Sequence, residues 1–198
     1  MPTIISADEI KKELPNYDPS HVELFHRESA RKADKMFEQF LKDNPFNEVI
    51  LLSGGTASGK TEFMVTQLNS KKCIIFDTTL PTQSGAKIKI KKIHKMNKKA
   101  VIYSVIPDDL TRAFIAFLNR DRKFKDEHFY RTHAGSRKTL LWVAENYSEV
   151  EINIIESSYT QQQVLQFDKI AFSNKEKLIA YLRSIQMIES DIIKSIKI

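Results

Sequence analysis

Eight consecutive residues, Gly54, Gly55, Thr56, Ala57, Ser58, Gly59, Lys60 and Thr61, constrain this chain more than any other feature. They satisfy the spacing G-x-x-x-x-G-K-[ST] in full. The near-continuous apolar run EVILLSGG (48–55) leads into them, and a helical pattern follows from Lys60 to about Asn69. A buried strand that ends in glycines and opens a helix is the context in which this motif cradles phosphate. Glycines let the backbone curl so that several N–H groups face one anion, and the helix N-terminus adds partial positive charge. The motif makes residues 54–61 an expected ATP-binding loop. It assigns Lys60 to the β and γ phosphates and the Thr61 hydroxyl to Mg²⁺.

Apolar runs alternate with helical periodicity along the rest of the chain. TIIS (3–6) reads as a short strand. Residues 19–43 place Leu24, Phe25, Ala30, Ala33, Met36, Phe37, Phe40 and Leu41 at helical spacing, with Ser20 as the expected N-cap. KKCIIFDTTL (71–80), AVIYSVIP (100–107) and VEINIIES (150–157) read as strands, and FDKIAF (167–172) as an edge strand. Helices are expected over the lysine-rich segment, over 108–122 with its acidic start, over 127–147 with a break at Gly135, and in two C-terminal segments. Trp142 is expected in the core. Alternating strands and helices predict an α/β fold of the P-loop NTPase, nucleoside-kinase-like type. Its central, mainly parallel sheet is flanked by helices in one domain over 1–198.

Hydrophobic residues at 41 % and charged residues at 28 % are ordinary for a globular protein. No stretch approaches the ~20 apolar residues of a membrane span, and MPTIIS does not read as a signal peptide, so a cytoplasmic location is expected. The single cysteine, Cys73, cannot form an internal disulfide. No Cys/His set has zinc-ligand spacing. The net charge of +6 is local, because KIKIKKIHKMNKK (87–99) alone holds seven lysines and no acid. That segment is either a solvated helix face with Ile90, Ile93 and Met96 turned inward, or a patch that attracts anions such as nucleotides or RNA.

A phosphate loop indicates a nucleotide and not a reaction. The N-K-x-D pattern of guanine readers is absent, since SNKEK (173–177) lacks the aspartate. At this length a small-molecule kinase fits best.

A second set of motifs lies around the loop: SADEIKKELPNYDP (6–19), FHRES (25–29), FDTTL (76–80), VIPDDL (105–110), NRDR (119–122) and RTHAGSR (131–137). Together with the loop they resemble the zeta toxin-like kinases over about residues 3 to 137. The order departs from that family, in which the phosphate loop comes before the ADEI, HxES and DGTL elements. The swap is compatible with a parallel sheet if the DTTL strand lies beside the loop strand and the ADEI strand lies outside it. On this reading 1–47 forms the acceptor side, 48–172 the nucleotide-binding core and lid, and 173–198 the C-terminal helices. The alternative for ADEIKKELP is an ordinary helix start, with Asp8 as cap and Glu9 in the first turn.

The resemblance implies an ATP-dependent kinase acting on a hydroxyl of a nucleotide sugar such as UDP-N-acetylglucosamine. It also implies a toxin role with an antitoxin protein as partner. Asp8 takes the place of the catalytic aspartate, which accepts or orients the acceptor's proton. Asp77 is assigned to acceptor binding, with a turn cap through Thr79 as the alternative. Arg120 and Arg122 fall where the family has lid arginines. Arg131 (as an ATP contact) and Arg137 are second choices, and His133 pairs with Arg131. Glu9, His26, Glu28, Ser29 and Thr79 complete the expected acceptor pocket. Two other functions remain open: a polynucleotide or RNA-end kinase using the lysine segment, and a nucleotide-sensing protein without transfer activity.

Overall fold

The computed structural model describes residues 1–121 and 123–197. It is a mixed α/β structure with a six-stranded sheet in the order β1-β3-β2-β4-β5-β6. The strands are β1 (Thr3–Ser6), β2 (Glu48–Ser53), β3 (Ile74–Asp77), β4 (Lys99–Pro107), β5 (Glu151–Tyr159) and β6 (Leu165–Ile170). The first five are parallel, and β6 runs antiparallel to β5 at the far edge. β1 therefore lies outside β3, and β3 lies beside β2. The register sets Ser6 opposite Asp77, so the ends of β1 and β3 finish level.

The chain leaves β2 toward β3 on one side, then crosses back over β2 to form β4 on the other. Where strand order reverses in this way, the helices diverge and open a crevice at the carboxyl ends of the strands. The glycine-rich loop emerges from β2 at that point.

Strict alternation along the strands builds two cores. Ile5, Val49, Leu51, Ile74, Phe76 and Ile102 face α2 (Val22–Asp43), α4 (Gln83–Lys95) and α6 (Asp126–Asn146). Ile50, Leu52, Ile75, Val101 and Val105 face α3 (Lys60–Gln67) through Phe63, Met64 and Leu68. Both faces are covered, which is why these strands read as continuous apolar runs. A third cluster joins α5 (Leu110–Leu118), α6 and α8 (Glu189–Ser195) through Phe114, Phe117, Phe129 and Ile192. Helix α7 (Lys175–Ser184) closes the first core with Leu182.

Several local expectations shift. Asp18, not Ser20, is the cap, because its carboxylate accepts from the Ser20 N–H at 2.8 Å and starts a 3₁₀ turn ahead of α2. The acidic start near 108 is an N-cap: Asp109 accepts from the N–H groups of Thr111 and Arg112. Gly135 does not break α6. A Cβ there would lie 2.4 Å from the Pro81 carbonyl oxygen, so the glycine permits close helix–loop packing. The edge strand is 165–170, two residues earlier than expected. Trp142 is only partly buried, edge-on to Tyr147. Within the lysine-rich segment, Ile90 and Ile93 are buried, while Lys89 and Lys92 pair with Asp34 and Glu38 of α2. Those pairs favour the solvated-face reading of that segment.

Candidate active site

Residues 54–59 link β2 to α3, and Lys60 is the first residue of the helix. The loop is tied down at several points. The Gly54 N–H donates to the Thr79 carbonyl at 3.3 Å. The Thr56 N–H donates to Thr132 Oγ1 at 3.1 Å, and the Thr56 hydroxyl lies 3.1 Å from the same oxygen. His133 Nε2 is 2.9 Å from the Thr56 carbonyl oxygen. The Ser157 hydroxyl donates to the Ser58 carbonyl at 2.9 Å. Gly55 packs directly on the His133 ring, where a Cβ would come within 2.2 Å.

Lys60 folds back over this loop. Its ammonium donates to the carbonyls of Gly54 (3.0 Å) and Gly55 (2.8 Å) and to Ser58 Oγ (3.4 Å). Burial lowers its pKa to about 8. Asp77 and Asp8 oppose that shift and Arg120 adds to it. Groups from the ends of β1, β2 and β3 and from beyond α5 thus share one electrostatic field. The Ser6 hydroxyl donates to Asp77 Oδ2 at 3.2 Å, joining the ends of β1 and β3.

Asp8 lies in the first turn of α1 (Ala7–Lys12), directly after β1. Ser6, not Asp8, occupies the cap position. Lys11 Nζ sits 3.3 Å from Asp8 Oδ1 and is 1 % exposed, and its ammonium lies over the Phe124 ring at 5.4 Å. A lysine is almost never buried this far unless it is paired. Sequence alone does not reveal this burial, because the Phe124 ring that helps cover Lys11 comes from a distant segment.

Two cavities flank these residues. A crevice of about 400 Å³ runs beside Ala57, Ser58 and Gly59, lined also by Arg112, Arg120, Tyr159 and Leu165. Arg112 lies over the Tyr159 ring at 5.3 Å. Neither Arg112 nor Tyr159 was expected: Arg112 lies in α5 and Arg120 just beyond its end, so no single helix face announces the pair. A second cavity, of about 370 Å³, is lined by Glu23, His26, Phe124, Lys125, His128 and Arg131 among others. His128 stacks on Phe124 with ring centres 4.3 Å apart, and its Nδ1 lies 3.4 Å from Arg131. Burial, then Arg131 and His26, push the His128 pKa down to about 4. Burial and Lys11 lower that of His26. Both rings are neutral near pH 7, beside the cations Lys11 and Arg131.

The expected residues separate accordingly. Asp8, Asp77 and Arg120 lie within electrostatic reach of Lys60, and His26 and Arg131 line the second cavity. Glu9 points to solvent, paired with Lys12 at 2.8 Å. Glu28 pairs along its helix with Lys32 at 3.3 Å. Ser29 is buried and donates to the His26 carbonyl. Thr79 contributes its carbonyl to the loop, and the Thr78 hydroxyl accepts from the Leu80 N–H. Thr61 is exposed at the start of α3. Arg122 lies outside the described residues.

Among the described residues no group of three His, Cys, Asp or Glu side chains could hold a metal ion by itself. Magnesium does not need one, since it keeps waters and takes one or two protein oxygens plus substrate phosphates. The Thr61 hydroxyl and the Asp77 carboxylate are donors of that kind. No helix among the described residues is long and apolar enough to cross a membrane.

No protein-family model matches the chain, and no curated protein matches it in sequence. Its fold is similar to that of chains in three crystal structures of the AvrRxo1-ORF1:-ORF2 complex. For the native complex the TM-score is 0.51 at 11 % identity, covering 84 % of this chain and 73 % of that one. For the complex with ATP the TM-score is 0.53 at 11 % identity, with 88 % and 74 % covered. For the complex with sulphate ions it is 0.52 at 11 % identity, again with 88 % and 74 % covered. At that identity the likeness is one of fold.

Proposed function

We propose that this chain is an ATP-dependent phosphotransferase that phosphorylates a hydroxyl of a small molecule, as a zeta toxin-like kinase with its acceptor segment moved ahead of the phosphate loop. The observation that carries this reading is the glycine-rich loop with the buried Lys60 ammonium folded onto it, within electrostatic reach of Asp8, Asp77 and Arg120 at the neighbouring strand ends and beyond α5. The similar fold crystallised with ATP supports ATP as the donor.

In this reading the ATP phosphates lie along Gly54 to Thr61 and the remainder of the nucleotide in the crevice below Arg112 and Tyr159. Lys60 swings from the loop carbonyls onto the β and γ phosphates. Thr61 would hold Mg²⁺, which supplies charge neutralisation when bound. The acceptor oxygen forms a bond to the γ phosphorus as the bond from that phosphorus to the ADP oxygen breaks. The hydroxyl proton passes to the Asp8 carboxylate, and Lys11 holds that carboxylate in place. Arg120 and Arg122 offset charge on the transferring group.

The second cavity adjoins Asp8 through Lys11. Its cations Lys125 and Arg131, with Lys11 nearby, stand beside the carboxylates of Glu23 and Glu127, and with its flat rings and neutral imidazoles they suit an acceptor that carries phosphate, polar hydroxyls and a ring. A nucleotide sugar such as UDP-N-acetylglucosamine has both. A partner protein that blocks the site, an antitoxin, belongs to the same reading.

The test is a transfer assay with labelled ATP and Mg²⁺ over nucleotide sugars, dinucleotides, nucleosides and RNA 5′ ends, with Lys60→Ala as control. Label moving to one small anionic acceptor supports the reading. Label moving to RNA ends would replace it with a polynucleotide kinase, and ATP binding without transfer would replace it with a nucleotide sensor.

A further inference from the structure

We propose that His133 is a positioning residue for the glycine-rich loop: held as the Nε2–H tautomer by Arg137, it turns the Thr56–Ala57 peptide so that the Ala57 N–H faces the nucleotide crevice. The proposal rests on the ATP reading above and gives His133 and Arg137 a role different from the one the resemblance implies, which pairs His133 with Arg131 and makes Arg137 a second-choice arginine.

Three observations lead to it. A carbonyl oxygen only accepts, so the 2.9 Å contact between His133 Nε2 and the Thr56 oxygen puts the proton on Nε2. On the other side of the ring, Arg137 NH1 lies 3.3 Å from His133 Nδ1 and 3.0 Å from the His133 carbonyl. A guanidinium cannot accept, so Nδ1 offers its lone pair and the tautomer is fixed from both sides. Second, a trans peptide points its C=O and N–H in opposite directions. With the Thr56 carbonyl held by a histidine that is 0 % exposed beneath the loop, the Ala57 N–H points away from α6. Ala57 lines the crevice on that side. Third, Ala57 has φ 64°, a left-handed conformation that a non-glycine residue keeps only when its surroundings hold it.

Arg137 has no other evident task. It is 6 % exposed, its Nε has no hydrogen-bond partner, and it makes no ion pair among the described residues. Retaining a buried guanidinium without a carboxylate is costly, and its contact with His133 is what it provides. Burial and the neighbouring Arg137 also hold the His133 pKa well below the ordinary value, which keeps the ring neutral. Thr132 completes the clamp by accepting from the Thr56 N–H.

The test has two arms. In the unmutated chain, ¹⁵N spectra of the imidazoles should show His133 as the neutral Nε2–H tautomer, and an Nδ1–H tautomer would overturn the proposal whatever any variant does. ATP affinity is then measured by calorimetry for the parent, His133→Phe, His133→Gln and Arg137→Met, each checked for an intact fold by thermal melting. Phenylalanine keeps a flat ring and loses the donor, whereas glutamine keeps an N–H of similar reach. The Phe variant should weaken ATP binding about tenfold or more, and the Gln variant should stay within about threefold. Equal affinity for both, with only the melting temperature lowered, would make His133 a packing residue and overturn the proposal. A parent chain that binds no ATP overturns the nucleotide reading, and the positioning role with it.

Discussion

The donor and acceptor halves of the proposed site are held by different forces. The donor half is a loop of consecutive residues between one strand and one helix, fixed by hydrogen bonds at Gly54, Thr56 and Ser58 and by a buried histidine. The acceptor half gathers Asp8, Lys11, His26, Phe124, His128 and Arg131 from α1, α2, α6 and the segment before α6, and it is held by charge and ring contacts around a cavity. A local motif with rigid backbone geometry suits a ligand part common to every ATP enzyme. A long-range assembly of side chains can be exchanged piece by piece, which suits the part of the site that sets specificity.

The largest effect should separate the halves most cleanly. Lys60 is buried, and lowering its pKa from 10.5 to about 8 corresponds to a cost of roughly 3 kcal/mol for keeping it charged among the loop carbonyls. Lys60→Met should therefore abolish detectable ATP binding while raising the melting temperature of the ligand-free chain. A fall in melting temperature would contradict the view that the loop is strained toward its ligand. The same depressed pKa predicts that ATP binding near pH 8 takes up a proton, since phosphate raises the pKa of the ammonium. Calorimetry in buffers of different ionisation enthalpy reads that uptake directly. The sign for stability follows: the penalty is present below about pH 8 and is relieved as the pH rises toward 10.5.

A smaller effect comes from packing behind the donor half. Gly135→Ala would drive a Cβ to 2.4 Å from the Pro81 carbonyl. Because the obstacle is backbone, we expect a loss of about 1–3 kcal/mol in a denaturant titration. A loss within about 0.5 kcal/mol would show that α6 and the segment after β3 part easily.

Because the His128 ring is only half-buried and solvent screens its charge, the acid response of the second cavity should be smaller still. His128, at about 4 in the folded chain, binds a proton less readily than in the unfolded chain, where the ordinary value is 6.5. Stability should hold above pH 6.5 and fall as the pH drops toward 4, with His128 contributing at most about 1.4 kcal/mol per pH unit. His128→Gln should flatten that slope, and an unchanged slope would place the acid sensitivity elsewhere.

What the sequence made legible follows the same division. The loop could be read because all of its information lies in eight neighbouring residues, and the sheet because strands covered on both faces stay apolar throughout. Lys11 was hidden: a lysine in a short helix looks solvated until Phe124, far along the chain, covers it. His133 could be seen only as a neighbour of Arg131, since its task depends on a carbonyl in another element. Gly135 misled because helix propensity is a weak preference that close packing against Pro81 overrides. Glu9 and Glu28 were carried over with their motifs, yet helix periodicity turns both outward to lysines on their own helices.

The most direct measurement is single-turnover transfer from ATP to the acceptor, with ATP affinity measured in parallel, for the parent chain and Asp8→Ala. If the halves act as described, ATP affinity stays within about threefold while transfer falls by about a hundredfold or more. Transfer by Asp8→Ala at the parent rate would show that the segment after β1 is an ordinary helix start, and the reordered-kinase account would fall.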